Sequence, residues 1–208
     1  MRLWQRLKPI YKEPLEAIKL EMIKRVMDLC LLVIALIFFA VPILLVALIV
    51  RLSSPGPVVF WSDRVGRYNQ IFKMPKFRTM RVGTPNVATH LLQGADNYLT
   101  PVGSFLRKSS LDELPQLWSV LVGDMSFVGP RPALYNQGDL IAMRTDMGVE
   151  ILLPGITGWA QVNGRDELDL RGKVELDAQY LHKRSTLFDL YILFLTVIKV
   201  FKREGVSH

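Results

Sequence analysis

Two adjacent carboxylates, Asp112 and Glu113, stand in the segment Ser109–Ser110–Leu111–Asp112–Glu113–Leu114–Pro115, where a helix is expected to open. Two chemistries fit that placement. Ser110 and Glu113 have the S-x-x-E spacing of a capping box, and acids in a first turn favour the helix dipole. Alternatively, Asp112 is a nucleophile at a helix N-terminus, where backbone N–H groups can hold a phosphoryl oxygen. In that reading Glu113 binds a divalent cation, which offsets the repulsion between an anionic carboxylate and a phosphate.

Arginines stand where they can serve the second chemistry. Arg107 lies five residues ahead of Asp112, and Arg131 sits between Pro130 and Pro132, whose rings stiffen the backbone beneath it. Arg165 follows the turn signal Asn163–Gly164. Each alone reads equally as a surface arginine, but three on rigid loops near one acidic pair suggest an anionic ligand. Lys73, Lys76 and Arg78 could serve the same ligand or touch lipid headgroups. Other chemistries lack material. His90, His182 and His208 share no metal-ligand spacing, Cys30 lies in an apolar run, and no glycine-rich phosphate loop occurs.

The elements that must position these groups are short. Val58–Trp61 and Ile71–Phe77 read as strands around a turn at Gly66–Asn69. A polar loop covers 82–100, and a helix is expected from about Asp112 to Val122, closed by Gly123. Gly129–Pro130–Arg131–Pro132 and Pro154–Gly155–Ile156–Thr157–Gly158 read as loops, and 174–184 as a helix. Leu187–Phe201 is apolar but carries Asp189 and Lys199, which suits an interfacial or docked helix rather than a span.

Length and charge bound the whole. At 208 residues the chain is expected to be one large domain or one domain with appendages, and 50% hydrophobic residues exclude disorder. Residues 1–81 hold 14 Lys and Arg against 5 Asp and Glu, a net +9, whereas 82–208 carry a net −2. The basic part also contains 22 uncharged residues, Leu29–Val50, long enough at about 33 Å to cross a hydrocarbon core of about 30 Å. Pro42 interrupts this run, and basic residues flank both ends: Lys19, Lys24 and Arg25 before, Arg51, Arg64 and Arg67 after. One end should carry the cytoplasmic excess of a simple span. A helix that bends at Pro42 and leaves through the same leaflet accounts for both features; a tilted, kinked span is the alternative. Residues 1–25 read as a basic interfacial helix broken near Pro9 and Pro14, or as a helix packed on the domain.

Five ordered segments resemble the bacterial sugar transferases that are monotopic polyprenol-phosphate phosphoglycosyl transferases. They are Lys24–Arg25 with Asp28; Lys76–Phe77–Arg78–Thr79–Met80; Ser110–Leu111–Asp112–Glu113–Leu114–Pro115–Gln116–Leu117; Gly123–Asp124–Met125–Ser126–Phe127–Val128–Gly129–Pro130–Arg131–Pro132; and Pro154–Gly155–Ile156–Thr157–Gly158 through Gln161–Val162–Asn163–Gly164–Arg165. The resemblance implies a membrane-associated α+β chain. Its parts would be an interfacial segment (1–25), a Pro42-kinked re-entrant helix (26–52), and a small cytoplasmic domain with short β-hairpins and a C-terminal interfacial helix (53–208). It further implies a site on the cytoplasmic face of the bacterial inner membrane, magnesium at Glu113, and phosphates held by Arg131 and Arg165. The implied reaction has Asp112 attack a UDP-sugar, expel UMP, and pass the phosphosugar to undecaprenyl phosphate. Val41 departs from the family, which commonly places Ser before this proline; a serine hydroxyl can bond back to the preceding turn and promote a bend. An inactive membrane-tethered binding protein of the same fold is the alternative function. Nucleic acid is not an expected partner, because no recognition motif accompanies the basic residues.

Overall fold

The computed structural model describes residues 14–85, 94–164 and 168–202. Arg165, His90, His208 and the first 13 residues lie outside that set.

Helix α1, Pro14–Ser53, runs for 40 residues. Pro14 suits a first turn, where its missing N–H has no intrahelical partner to lose. Ser53 Oγ donates to the Val50 carbonyl at 3.2 Å, and Pro55–Gly56–Pro57 prevent continuation. The segment expected to break near Pro9 and Pro14 lies largely outside the described residues, and α1 runs without interruption past residues 25 and 26. Pro42 is accommodated within it. By length and composition α1 is able to cross a membrane, and Ile37 and Phe38 are each 73% exposed.

Strands β1 (Val59–Val65) and β2 (Ile71–Phe77) form the expected hairpin, in register from Val59↔Phe77 to Val65↔Ile71. The turn at Arg67–Asn69 places Tyr68 and Asn69 at φ 57° and 60°. Strand β1 extends past Trp61, paired with β2 as far as Val65, and β4 (Ala133–Leu134) pairs antiparallel with Arg64 and Val65 on its other edge. The sheet order is therefore β2-β1-β4.

A second pair, β3 (Ser126–Val128) and β5 (Gly155–Thr157), is parallel. Hairpins alone were expected, and both flanking segments read as loops. The reason for the difference is close backbone approach. A Cβ at Gly129 would run into the Leu153 carbonyl, and one at Gly155 into the Gly129 backbone, so only glycine lets these chains pair.

Four further helices position the site. They are α2 (Gly103–Lys108), α3 (Leu117–Val122), α4 (Gly138–Asp146) and α5 (Trp159–Val162). Helix α6 (Leu170–Lys183) starts at Asp169, whose side chain accepts from the Gly172 N–H at 2.8 Å. Helix α7 (Thr186–Lys202) follows. Val128, Tyr180, Leu181 and Ile192 form a buried core where α6 and α7 meet β3 and the Val149–Ile151 turn.

A polar stripe docks α1 onto this domain. Glu21, Lys24, Arg25 and Asp28 recur every three or four residues, hence on one helix face. Glu21 Oε1 accepts from Arg67 at 3.2 Å and Arg184 at 2.6 Å. Arg25 donates to the Val120 and Leu121 carbonyls, and Asp28 Oδ1 accepts from Ser126 Oγ and the Phe127 N–H, both at 3.0 Å. The six basic residues that flank the apolar run do not all face outward. Lys24, Arg25, Arg64 and Arg67 bond within the protein, and only Lys19 and Arg51 of that set are exposed.

Candidate active site

The turn that carries the carboxylates is not an α-helix at its start. Leu111–Gln116 is a 3-10 segment, and α3 begins only at Leu117. Pro115 has no N–H to give the Leu111 carbonyl, so the first α-type bond cannot form. The Glu113 N–H reaches the Ser110 carbonyl at 3.2 Å instead. Ser110 itself adopts a left-handed conformation, φ 56°, and its side chain makes no cap bond. The capping box is thus absent, which frees Glu113 for another role. Gly123 closes α3 at φ 95°, as expected.

That role is to bind cations. Lys76 Nζ lies 2.7 Å from Glu113 Oε1 and 3.7 Å from Asp112 Oδ2. Arg131 Nη2 reaches the same Glu113 oxygen at 3.1 Å. Lys76 comes from β2, the carboxylates from the turn packed beneath it, and Arg131 from the loop between β3 and β4. Arg107 donates from Nε to Thr79 Oγ1 at 3.0 Å and acts electrostatically on Asp112. Burial pushes the Asp112 carboxyl above its usual range; Lys76 opposes that, the Glu113 charge adds to it, and Arg107 and Arg131 oppose it. Burial likewise lowers Arg107, against the pull of Asp112. Burial makes the ionised form of such a carboxylate a stronger base, and the cations around it lower the cost of ionising it.

The backbone under Arg131 is braced. Arg144 Nη1 donates to the Arg131 carbonyl at 2.8 Å, while its Nε and Nη2 grip Asp177 Oδ2 at 3.0 and 2.6 Å. Asp177 is almost fully buried, and burial raises its carboxyl against the pull of Arg144.

Of the residues proposed from sequence, Lys76, Arg107, Asp112, Glu113 and Arg131 are brought together. Arg78 is not. Its guanidinium donates to the Pro55 carbonyl at 2.7 Å and to the Ser54 carbonyl and hydroxyl at 2.8 Å, where it ties down the end of α1. Lys73 pairs with Asp63 at 2.7 Å, across the hairpin and away from this cluster.

Residues 19–203 match the model of the family described as bacterial sugar transferase. The chain belongs to that family. Among its relatives, the UDP-glucose:undecaprenyl-phosphate glucose-1-phosphate transferase of Escherichia coli (strain K12) is 42% identical over 205 residues, covering 95% of this chain and 44% of the relative. The UDP-N-acetylgalactosamine-undecaprenyl-phosphate N-acetylgalactosaminephosphotransferase of Aeromonas hydrophila is 40% identical over 84% of this chain and 43% of its own length. The chain thus spans less than half of those two relatives. An uncharacterized sugar transferase, EpsL, of Bacillus subtilis (strain 168) is 41% identical and matches end to end more closely, at 89% of this chain and 90% of the relative.

In this sugar transferase Asp112 and Glu113 are the carboxylates that could hold a metal ion. Among the described residues no three His, Cys, Asp or Glu side chains converge. Magnesium does not need them, because it typically takes one or two protein carboxylates and completes its shell with phosphate oxygens and water. Asp112 and Glu113 are such a pair.

Two residues escaped the sequence reading. Arg64, taken there for a membrane-flanking charge, lines the cleft beside Glu113, Gln116 and Arg131. The signal was strand alternation: Phe60, Ser62 and Arg64 share a face of β1, and Phe60 lies opposite Lys76. Arg144 carries no local signal, since its partners Arg131 and Asp177 are distant in sequence.

Proposed function

We propose that this sugar transferase moves a phosphosugar from a UDP-sugar to a polyprenyl phosphate such as undecaprenyl phosphate, with Asp112 as covalent nucleophile. The observation that carries this is the buried Asp112 carboxylate with Lys76 3.7 Å away, beside a Glu113 bonded to both Lys76 and Arg131. An Asp112 oxygen bonds to the sugar-bearing phosphorus while the bond from that phosphorus to the bridging oxygen breaks, and the electron pair leaves with UMP. An oxygen of the polyprenyl phosphate then attacks the same phosphorus and expels the Asp112 carboxylate, giving a polyprenyl-diphosphate sugar and the starting enzyme.

Charge is the main obstacle. Two unit charges 4 Å apart interact by about 4 kcal/mol at an effective dielectric near 20, and the donor carries two. Lys76, Arg107 and Arg131 set three cations around the approaching carboxylate and offset that repulsion. Glu113 is the residue that would hold a magnesium ion, which when bound supplies further neutralisation of the diphosphate.

The membrane part of the reading is a re-entrant α1, with the site at the cytoplasmic face of the bacterial inner membrane. Its contacts support a bend at Pro42. Residues 33–41 are exposed save for half-buried Ala35, while both flanks of α1 are held to the same domain. Arg25 bonds to Val120, and Val46 and Val50 pack with Phe77 and Leu106 in a cluster that Leu114 covers. Leu114 and Val120 are about 10 Å apart along consecutive turns, whereas Arg25 and Val46 would be about 31 Å apart on a straight helix. A helix that turns back near Pro42 would bring those two flanks to neighbouring turns. An active domain drawn against the bilayer meets the phosphate of an acceptor whose tail stays in lipid.

The relatives act on different sugars by name, so the donor is found by experiment. UMP release is measured across a panel of UDP-sugars with undecaprenyl phosphate in detergent micelles. At least one donor should give UMP and a lipid-linked product in equal amounts. UMP without a lipid-linked product from any of them would contradict the acceptor.

A further inference from the structure

Arg131 stands between two prolines, so the stretch Pro130–Arg131–Pro132 offers one backbone N–H and three carbonyls. Each carbonyl takes a donor from a different element. The Pro130 carbonyl accepts from the Gly155 N–H of β5 at 2.9 Å. The Arg131 carbonyl accepts from Arg144 Nη1 of α4 at 2.8 Å, and the Pro132 carbonyl from Arg64 Nη1 of β1 at 3.2 Å. Pro132 also steers Arg131 toward extended backbone. The loop is thus pinned at three successive carbonyls, and the middle pin lies under the arginine that reaches Glu113 Oε1.

The middle pin is anchored deepest. Arg144 places the other edge of its guanidinium, Nε and Nη2, on Asp177 Oδ2 at 3.0 and 2.6 Å. Asp177 lies on α6 and is 1% exposed. One turn before each partner, buried Val174 of α6 and Leu140 of α4 pack together with Ala133, the residue that follows Pro132. A planar fork held in this way ties the Arg131 backbone rigidly to α6. An ion pair so buried adds little net stability compared with apolar side chains of the same volume. What it adds here is a fixed direction for one carbonyl.

We infer that Arg144 and Asp177 are positioning residues for the transfer reaction, setting through the Arg131 carbonyl where the Arg131 guanidinium stands against Glu113 and the donor. Both act through Arg131 rather than on the substrate. This rests on the phosphosugar-transfer reading, in which Arg131 is one of the cations that offset repulsion as Asp112 approaches the diphosphate. A small displacement is enough, because an error of about 1 Å from a change remote from the chemistry can cost on the order of 100-fold in rate.

A double-variant cycle in the full chain separates positioning from support of the fold. The rate is that of UMP release in a single turnover, with a UDP-sugar that the wild type uses, followed for as long as the slowest variant needs. Arg144→Lys keeps a charge opposite Asp177 but loses the planar fork, so the protein should still melt cooperatively. In otherwise wild-type protein it should slow release by about 10- to 100-fold. In an Arg131→Lys background the same substitution should change the rate by less than about twofold, because no guanidinium is left to place. Asp177→Asn should depend on Arg131 in the same way; should it not fold, Arg144→Lys decides by itself. The inference is overturned if Arg144→Lys stays within about twofold of wild type, or if its full factor persists beside Arg131→Lys. Wild type that releases no UMP with any UDP-sugar would instead overturn the proposed reaction itself.

Discussion

Lys24 Nζ lies 2.7 Å from Asp189 Oδ2, an ion pair in which both side chains are buried, joining the apolar N-terminal helix to the C-terminal one. Lys24 also donates to the Val128 carbonyl at 2.9 Å, and Tyr180 donates its hydroxyl to the other Asp189 oxygen at 2.7 Å. Four elements, α1, β3, α6 and α7, therefore meet at one ammonium. Val128 ends the strand that leads into Gly129–Pro130–Arg131, so the attachment of the helix and the placement of a site arginine share an anchor.

Breaking one side of this pair leaves a buried charge without its counterion. Lys24→Met or Asp189→Leu alone is expected to destabilise the protein by about 3–5 kcal/mol, and the double variant to recover a large part of that. Thermal melting of the four proteins in one detergent completes the cycle. Additive losses would show that the two residues do not depend on each other.

Asp112 is expected to limit stability as well as support activity. Its folded pKa is raised by burial, so the folded protein binds that proton more tightly than the unfolded chain. The favourable contribution is fully present below the ordinary value of 3.8 and is lost as pH rises through the folded pKa. Above that folded pKa the ionised carboxylate costs stability, and Asp112→Asn should melt higher than wild type there. The gain should vanish in strong acid, where both proteins carry a neutral group. The same titration sets the acid limb of kcat/KM above 3.8, because protonated Asp112 cannot attack. Glu113→Gln removes a charge that raises Asp112, and so moves that limb to lower pH. Melting curves and rate profiles against pH check both signs.

The extent to which the sequence foretold this site depended on whether each signal was local. Alternation in Ile71–Phe77 and the turn at Gly66–Asn69 placed the hairpin, and with it Lys76, correctly. Asp112, Glu113 and Arg131 stood out as adjacent acids and a proline-flanked arginine. The 3-10 start was hidden, because its cause is the missing N–H of Pro115 and a left-handed Ser110 that propensity does not anticipate. The β3–β5 pair was hidden by its own glycines, which read as loop and act as close-contact points. Charge counting located the basic half of the chain but not its direction. Lys24, Arg25, Arg64, Arg67 and Arg78 all turn inward, on partners up to 165 residues away.

A re-entrant α1 puts both of its exposed basic flanks on one side of the membrane. With Cys30 replaced by Ser, single cysteines at Lys19 and Arg51 should both react with an impermeant maleimide in inverted vesicles, and neither in right-side-out ones. Labelling of the two sites from opposite sides would establish a span and remove the bend at Pro42 from the account.

The central claim is that Asp112 carries the phosphosugar. Intact-mass spectrometry of the protein incubated with its UDP-sugar and magnesium, without acceptor, tests it directly. The account predicts one hexose-phosphate-sized adduct per chain, mapped to the peptide holding Asp112, formed with one equivalent of UMP and cleared by undecaprenyl phosphate. An unmodified chain under conditions of full turnover, together with an active Asp112→Asn variant, would contradict it.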